Sequence, residues 1–187
     1  MFPTGQPCEE FANGDQTMTM IRTEKGKSIL IEHDVMTPRP YSRMYQLVGT
    51  EGYAAKYPVE QVLLRPSSAP EGIPDYENLN VHRALSKAQV DELSGRYPNP
   101  ILTPELEQLA KEVGGHGGMD FIMDYRLVYC LNNGLPLDMD VYDLAEWCCV
   151  ASLSAISMEN GCAPVEVPDF TRGAWDRING FSYAFAE

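Results

Sequence analysis

Positive charge is scarce in this chain. Its 187 residues carry 14 Lys and Arg against 27 Asp and Glu, a formal net charge of −13. That balance repels nucleic-acid phosphates and anionic membrane surfaces, so neither is expected as a partner. No run of about 18 apolar residues occurs, and no membrane span is expected. Met1 to Gly5 has neither a positive n-region nor an apolar h-region, so no signal peptide is legible and the compartment stays open. The cysteines are Cys8, Cys130, Cys148, Cys149 and Cys162, an odd number without a C-x-x-C spacing. Neither a zinc site nor a disulfide framework follows. Cys130, Cys148 and Cys149 fall in apolar helical segments and are expected to be buried small hydrophobes. There is no G-x-G-x-x-G fingerprint, no internal repeat and no low-complexity tract.

What is present suits a folded domain with a small or neutral ligand: 44% of the residues are apolar, enough for a core. After an irregular lead-in over 1–13, two alternating runs, Thr17–Thr23 and Ser28–Val35, flank Glu24-Lys25-Gly26-Lys27 and predict a hairpin. Thr37 to Arg43 holds two prolines and cannot be helical. Strands are expected at Met44–Val48, Tyr53–Ala55 and Glu60–Arg65, then a loop from Pro66 to Asn80. Ser86 caps a helix from Lys87 to Arg96. Thr103 and Pro104 open another, which runs to about Val113. Met119 to Leu131 is the most apolar helix and stops at Asn132-Asn133-Gly134. Asp138 or Asp140 caps the last helix, Val141 to about Met158. Strands first and helices later predict one α+β domain over 1–187, with a largely antiparallel open sheet and helices on one face. Residues 1–66 are mainly strands, 67–85 a loop, and 86–187 mainly helices with a short extended tail. Met18, Met20, Ile29 and Ile31 offer the sheet a face for self-association.

Two stretches carry candidate chemistry. Gly114-Gly115-His116-Gly117-Gly118-Met119-Asp120 brackets one histidine with four glycines at a helix start. It reads either as a helix-to-helix turn or as a histidine held towards a cleft. Asp120 lies one turn from His116. It compensates the helix dipole, or it fixes the histidine's tautomer. The second stretch is Arg39-Pro40-Tyr41-Ser42-Arg43, two guanidiniums and a phenol on a stiff extended segment. It reads either as edge-strand polarity, or as hydroxyl recognition by Tyr41 with Arg39 or Arg43 holding an oxygen. Asp138 and Asp140 are expected to be caps. His33 and His82 are lone histidines, and Asp140, Asp143 and Glu146 form a capping or solvated face.

IRTEKGKSILIEHDVMTPRPYSRMYQLVGTEGYAAKYP (21–58), GGHGGMDFIMDYRLVYCLNNGLPLDMDVYDLAEW (114–147) and APVEVPDFTRGAW (163–175) occur in this order. Together they resemble the C-terminal domain of glycoside hydrolase family 109, over roughly residues 14–176. The resemblance implies an NAD-dependent glycosidase of the Gfo/Idh/MocA oxidoreductase superfamily, typified by α-N-acetylgalactosaminidase. An N-terminal Rossmann domain would hold NAD, and the present α+β domain would close over the sugar. Oxidation at the sugar C3, elimination, water addition and re-reduction would recycle NAD, so no catalytic carboxylate pair is required. Tyr41 matches a substrate-contacting tyrosine, with Arg39 and Arg43 in support. His116 matches a histidine beside the sugar, as acid/base helper or sugar contact. The chain lacks the Rossmann half, so alone it is expected neither to bind NAD well nor to turn over. A homo-oligomer through the sheet face is expected. Export of the parent is implied by family habit, with the cytoplasm as alternative. The other readings are the same domain in a sugar dehydrogenase, or a non-catalytic oligomerisation or binding module.

Overall fold

The computed structural model describes residues 15–34, 36–177 and 183–186. The lead-in over 1–13 and Val35 lie outside them. The chain is α+β, with two small antiparallel sheets and four α-helices among the described residues. It divides into two compact units, Met1–Tyr45 and Gln46–Glu187.

The first unit is built on a hairpin of β1 (Gln16–Arg22) and β2 (Ser28–Asp34), joined through a turn in which Thr23 N–H reaches Lys27 O at 2.8 Å. Gly26 takes φ +78° there, which favours glycine. The register pairs Met18 with Glu32, Met20 with Leu30, Ile21 with Ile29 and Thr19 with Ile31. Directly paired residues share a face. Met18 and Met20 therefore lie on the face of Leu30, while Ile29 and Ile31 lie opposite with Ile21. The four residues expected to make one patch divide between two faces, because the hairpin register offsets the two alternations by one residue.

The second unit starts with a separate three-stranded antiparallel sheet of β3 (Gln46–Val48), β4 (Gly52–Ala55) and β5 (Gln61–Leu64), in sequence order. The strands thus form two sheets, divided at the proline-bearing segment 37–43, which pairs with neither. The 66–80 loop contains two short 3-10 turns, Pro66–Ser68 and Tyr76–Asn78. Leu85 N–H bonds Val62 O at 2.8 Å, tying the end of this loop to β5.

Four α-helices follow among the described residues, three of them begun by a side-chain cap. In α1 (Lys87–Arg96) Ser86 and Gln89 form a reciprocal capping box, and Gln89 is buried with its amide donating to Pro74 O at 2.8 Å. In α2 (Pro104–Val113) the Thr103 hydroxyl accepts from Leu106 N–H, and Pro104 occupies the first turn. α3 (Met119–Asn133) ends at Gly134, whose φ of +62° closes the helix. α4 (Val141–Glu159) is capped by Asp140 with Asp143 in a second capping box. Asp140 is the cap; Asp138 is not. Its carboxylate instead receives two bonds from Arg126, at 2.7 and 2.6 Å.

The buried apolar residues among those described are Ile73, Leu106, Ala110 and Cys130. Leu106 and Ala110 form the inner face of α2, and Cys130 sits on α3. Arg126, one turn before Cys130 on α3, is buried too, only 5% exposed. Its guanidinium lies 5.2 to 5.6 Å from the ring centroids of Tyr129, Tyr183 and Phe185 and donates to Ala184 O at 3.0 Å. Ala186 N–H bonds the Tyr129 hydroxyl at 2.8 Å, so residues 183–186 are fastened along α3. Bonding to Asp138 holds the Arg126 guanidinium firmly protonated, against the opposing pull of burial. Cys148 departs from expectation: it is exposed on α4, whereas Cys130 is fully buried and Cys149 half-buried.

Candidate functional site

The candidate residues belong to different units, and each group has its own geometry. In the first unit, β2 ends in Glu32 and Asp34, and Thr37 turns the chain back. Asp34 accepts backbone N–H bonds from Met36 and Thr37 at 3.1 and 3.0 Å, and the Thr37 hydroxyl also bonds its carboxylate. Arg39 lies across both acids. Its guanidinium pairs with Glu32 and, at 2.7 Å, with Asp34, while Nε donates to Thr37 Oγ1 at 3.1 Å. The Arg39 bond, aided by Gln16, lowers the Glu32 pKa. Bonding from Thr37 lowers that of Asp34, with Arg39 a smaller contributor. Arg39 thus braces the segment that carries Tyr41.

Two residues on, Arg43 Nε donates to the Tyr41 hydroxyl oxygen at 2.6 Å, and its guanidinium carbon lies 5.8 Å from the Tyr41 ring centroid. The tyrosine is 71% exposed. A phenol that accepts from a cation keeps its own O–H as a donor.

In the second unit, the glycine run forms a 3-10 turn, His116–Gly118, between α2 and α3. All four glycines have positive φ, and so does His116, at +47°. This backbone bends His116 back over the first turn of α3. Its Nδ1 lies 2.8 Å from Asp120 Oδ2. A carboxylate only accepts, so Nδ1 carries the hydrogen and Nε2 is turned outward with a lone pair when the ring is neutral. Gly115 has a specific part in this contact: a Cβ there would sit 3.1 Å from Asp120 Oδ2. Gly118 serves packing. A Cβ at that position would lie 2.7 Å from Ala110 O, so only glycine lets the α3 start rest on α2.

The same geometry bears on a dinucleotide. The turn follows a helix instead of a strand, and the space a Cβ would fill at Gly118 is taken by the α2 backbone. The run therefore does not fit a pyrophosphate cradle. A cavity of about 70 Å³ lies between Asp75, Asn80, Arg83 and Gln89. Among the described residues, no cluster of His, Cys, Asp and Glu could hold a metal ion, and no helix is long and apolar enough to cross a membrane.

Sequence reasoning missed the Arg126–Asp138 pair. A lone arginine within the apolar stripe of α3 was the available signal, since a buried guanidinium requires an acid.

The architecture is that of an α+β module presenting two preorganised polar groups, a Tyr–Arg pair and a His–Asp pair. The family model described as "Glycosyl hydrolase 109, C-terminal domain" matches residues 5–177, and the chain belongs to that family. It is 62% identical over 185 residues to glycosyl hydrolase family 109 protein 1 of Bacteroides thetaiotaomicron, covering 98% of this chain and 39% of that protein. It is 62% identical over 185 residues to the glycosyl hydrolase family 109 protein of Porphyromonas gingivalis, with the same coverage of 98% and 39%. Against protein 1 of Phocaeicola vulgatus the identity is 63% over 183 residues, covering 97% of this chain and 39% of that protein. The chain spans about two fifths of the length of the curated relatives it matches.

Proposed function

We propose that this chain is the sugar-binding C-terminal domain of an NAD-dependent glycosidase acting on α-N-acetylgalactosaminides or related sugars. The observation that carries the reading is the pairing of His116 with Asp120 in a family of glycosyl hydrolases. NAD, held by an N-terminal Rossmann domain of the parent, supplies reversible oxidation at the sugar ring. The residues of this chain bind the sugar, orient it and handle its protons. Asp120 holds the Nδ1–H of His116, which leaves Nε2 to accept a hydrogen bond or a proton from a sugar hydroxyl or an acidified ring carbon. Tyr41 donates its O–H to a sugar oxygen, while the bond from Arg43 Nε holds the phenol oxygen in place. Arg39 keeps the Tyr41 segment in place from its seat on Glu32 and Asp34.

Product analysis tests this reading. The parent, supplied with NAD and a panel of glycosides, should release free sugar without net NADH. Net NADH from free sugars, with no cleavage of glycosides, would make the protein a sugar dehydrogenase. Neither product would leave a binding module.

A further inference from the structure

The four glycines around His116 do different work. Positive φ alone accounts for Gly114 and Gly117, where a Cβ would meet nothing within 4 Å. Gly118 is required by the α2 backbone. Gly115 differs from all three. A Cβ there would lie 3.1 Å from both Cβ and Oδ2 of Asp120, and 3.4 Å from its Cγ. Non-bonded carbon atoms settle about 3.5–4.0 Å apart, so a methyl group must displace something. Rotating the Asp120 side chain moves Oδ2 but not Cβ, which the α3 backbone fixes. The Gly115 peptide is itself tied to that backbone. Its carbonyl accepts from Gly118 N–H at 2.8 Å and from Asp120 N–H at 3.4 Å. Room for a methyl therefore comes from the carboxylate leaving its place, or from the turn shifting off the first turn of α3. Either movement parts Asp120 Oδ2 from His116 Nδ1, which stand 2.8 Å apart.

We infer that Gly115 is a positioning residue for His116: the side chain it lacks is the space through which the Asp120 carboxylate reaches the imidazole. The gap admits a carboxylate of the chain itself. Gly115 thereby decides which ring nitrogen carries the hydrogen and which is left as an acceptor. The consequence for turnover rests on the sugar reading above; the positioning does not. The inference separates Gly115 from Gly117, which shares its backbone region and has no neighbour for a Cβ.

Nitrogen-15 NMR of the histidine-labelled parent reads the effect at its source, with the His116 signals assigned by their loss in His116→Gln. Gly115→Ala should shift the tautomer ratio of neutral His116 about threefold or more, from Nδ1–H towards Nε2–H. Gly117→Ala imposes a similar φ, +73° against +77°, without a contact, and should leave that ratio unchanged. Asp120→Ala keeps Cβ and removes only the carboxylate. In the parent, Gly115→Ala should lower kcat/KM by about tenfold, chiefly through kcat. In the Asp120→Ala background it should add less than about twofold, both to the tautomer ratio and to the loss of kcat/KM. A strong NOE should join Gly115 Hα to the Asp120 Hβ protons in the unaltered protein, a test that stands should Gly115→Ala fail to fold. An unchanged ratio in folded Gly115→Ala would overturn the inference. So would an equal shift in Gly117→Ala, a full effect without the Asp120 carboxylate, or the absence of that NOE. No glycoside turnover by the unaltered parent would remove the sugar reading and leave the tautomer comparison to decide the positioning.

Discussion

His116 Nδ1 and Asp120 Oδ2 stand 2.8 Å apart across one helical turn, with the histidine backbone in the left-handed region at φ +47°. The contact selects the tautomer that leaves Nε2 as an acceptor. Nitrogen-15 NMR of the imidazole should therefore find the Nδ1–H tautomer dominant in neutral His116. Asp120→Ala should move the population towards Nε2–H while the α3 amide pattern persists. Dominance of Nε2–H in the unaltered protein would contradict the assignment. In the parent, Asp120→Ala should cost about tenfold or more in kcat/KM, as loss of a group that orients another typically does.

The Arg126–Asp138 pair is shielded, with side-chain exposures of 6% and 15%. Removing one partner leaves a charge without compensation. Arg126→Ala or Asp138→Ala should each destabilise the fold by about 3–5 kcal/mol in chemical unfolding. The double change Arg126→Met with Asp138→Leu should lose far less than the sum of the singles. Additive losses would mean that the pair is not coupled.

Glycine is required at 118 for two reasons and at 117 for one. Both positions have positive φ, but a Cβ at 118 meets the Ala110 backbone at 2.7 Å, while a Cβ at 117 meets open space. Gly118→Ala should cost about 2–4 kcal/mol and Gly117→Ala about 1–2 kcal/mol. Equal costs in thermal unfolding would show that the α2–α3 approach is looser than described.

Acid should loosen the hairpin unit through Glu32 and Asp34. Both carboxyls have folded pKa values below their ordinary ones. Their contribution is therefore fully present above the ordinary carboxylate range and lost as the pH falls through the lowered values. Hydrogen exchange of β1–β2 amides should accelerate, relative to the intrinsic rate, only at acid pH. Arg39→Gln should make the loosening appear already at neutral pH. No difference between the unaltered chain and Arg39→Gln at neutral pH would remove Arg39 as the brace.

Much of this was legible in the sequence, for local reasons. Ser86, Thr103 and Asp140 mark helix starts because caps act on the adjacent turn, and Gly26 and Gly134 mark turns and stops for the same reason. The His116–Asp120 contact was readable as one of two alternatives, since residues one turn apart share a face. Non-local features were not readable. Whether Asp138 caps a helix or pairs with Arg126 depends on how α3 meets the following loop. The division of strands into two sheets depends on pairing partners, which local alternation does not specify. The exposure of Cys148 depends on what covers α4, and helical periodicity does not report a neighbour.

The most direct test of the sugar reading is nitrophenol release from nitrophenyl α-N-acetylgalactosaminide by the NAD-loaded parent, compared with His116→Ala and Tyr41→Phe. The account predicts release by the unaltered protein and a fall of about a hundredfold or more in each variant, at unchanged fold stability. Unaltered release in either folded variant would remove that residue from the sugar site. No release by the intact protein across a panel of glycosides would contradict the glycosidase assignment itself.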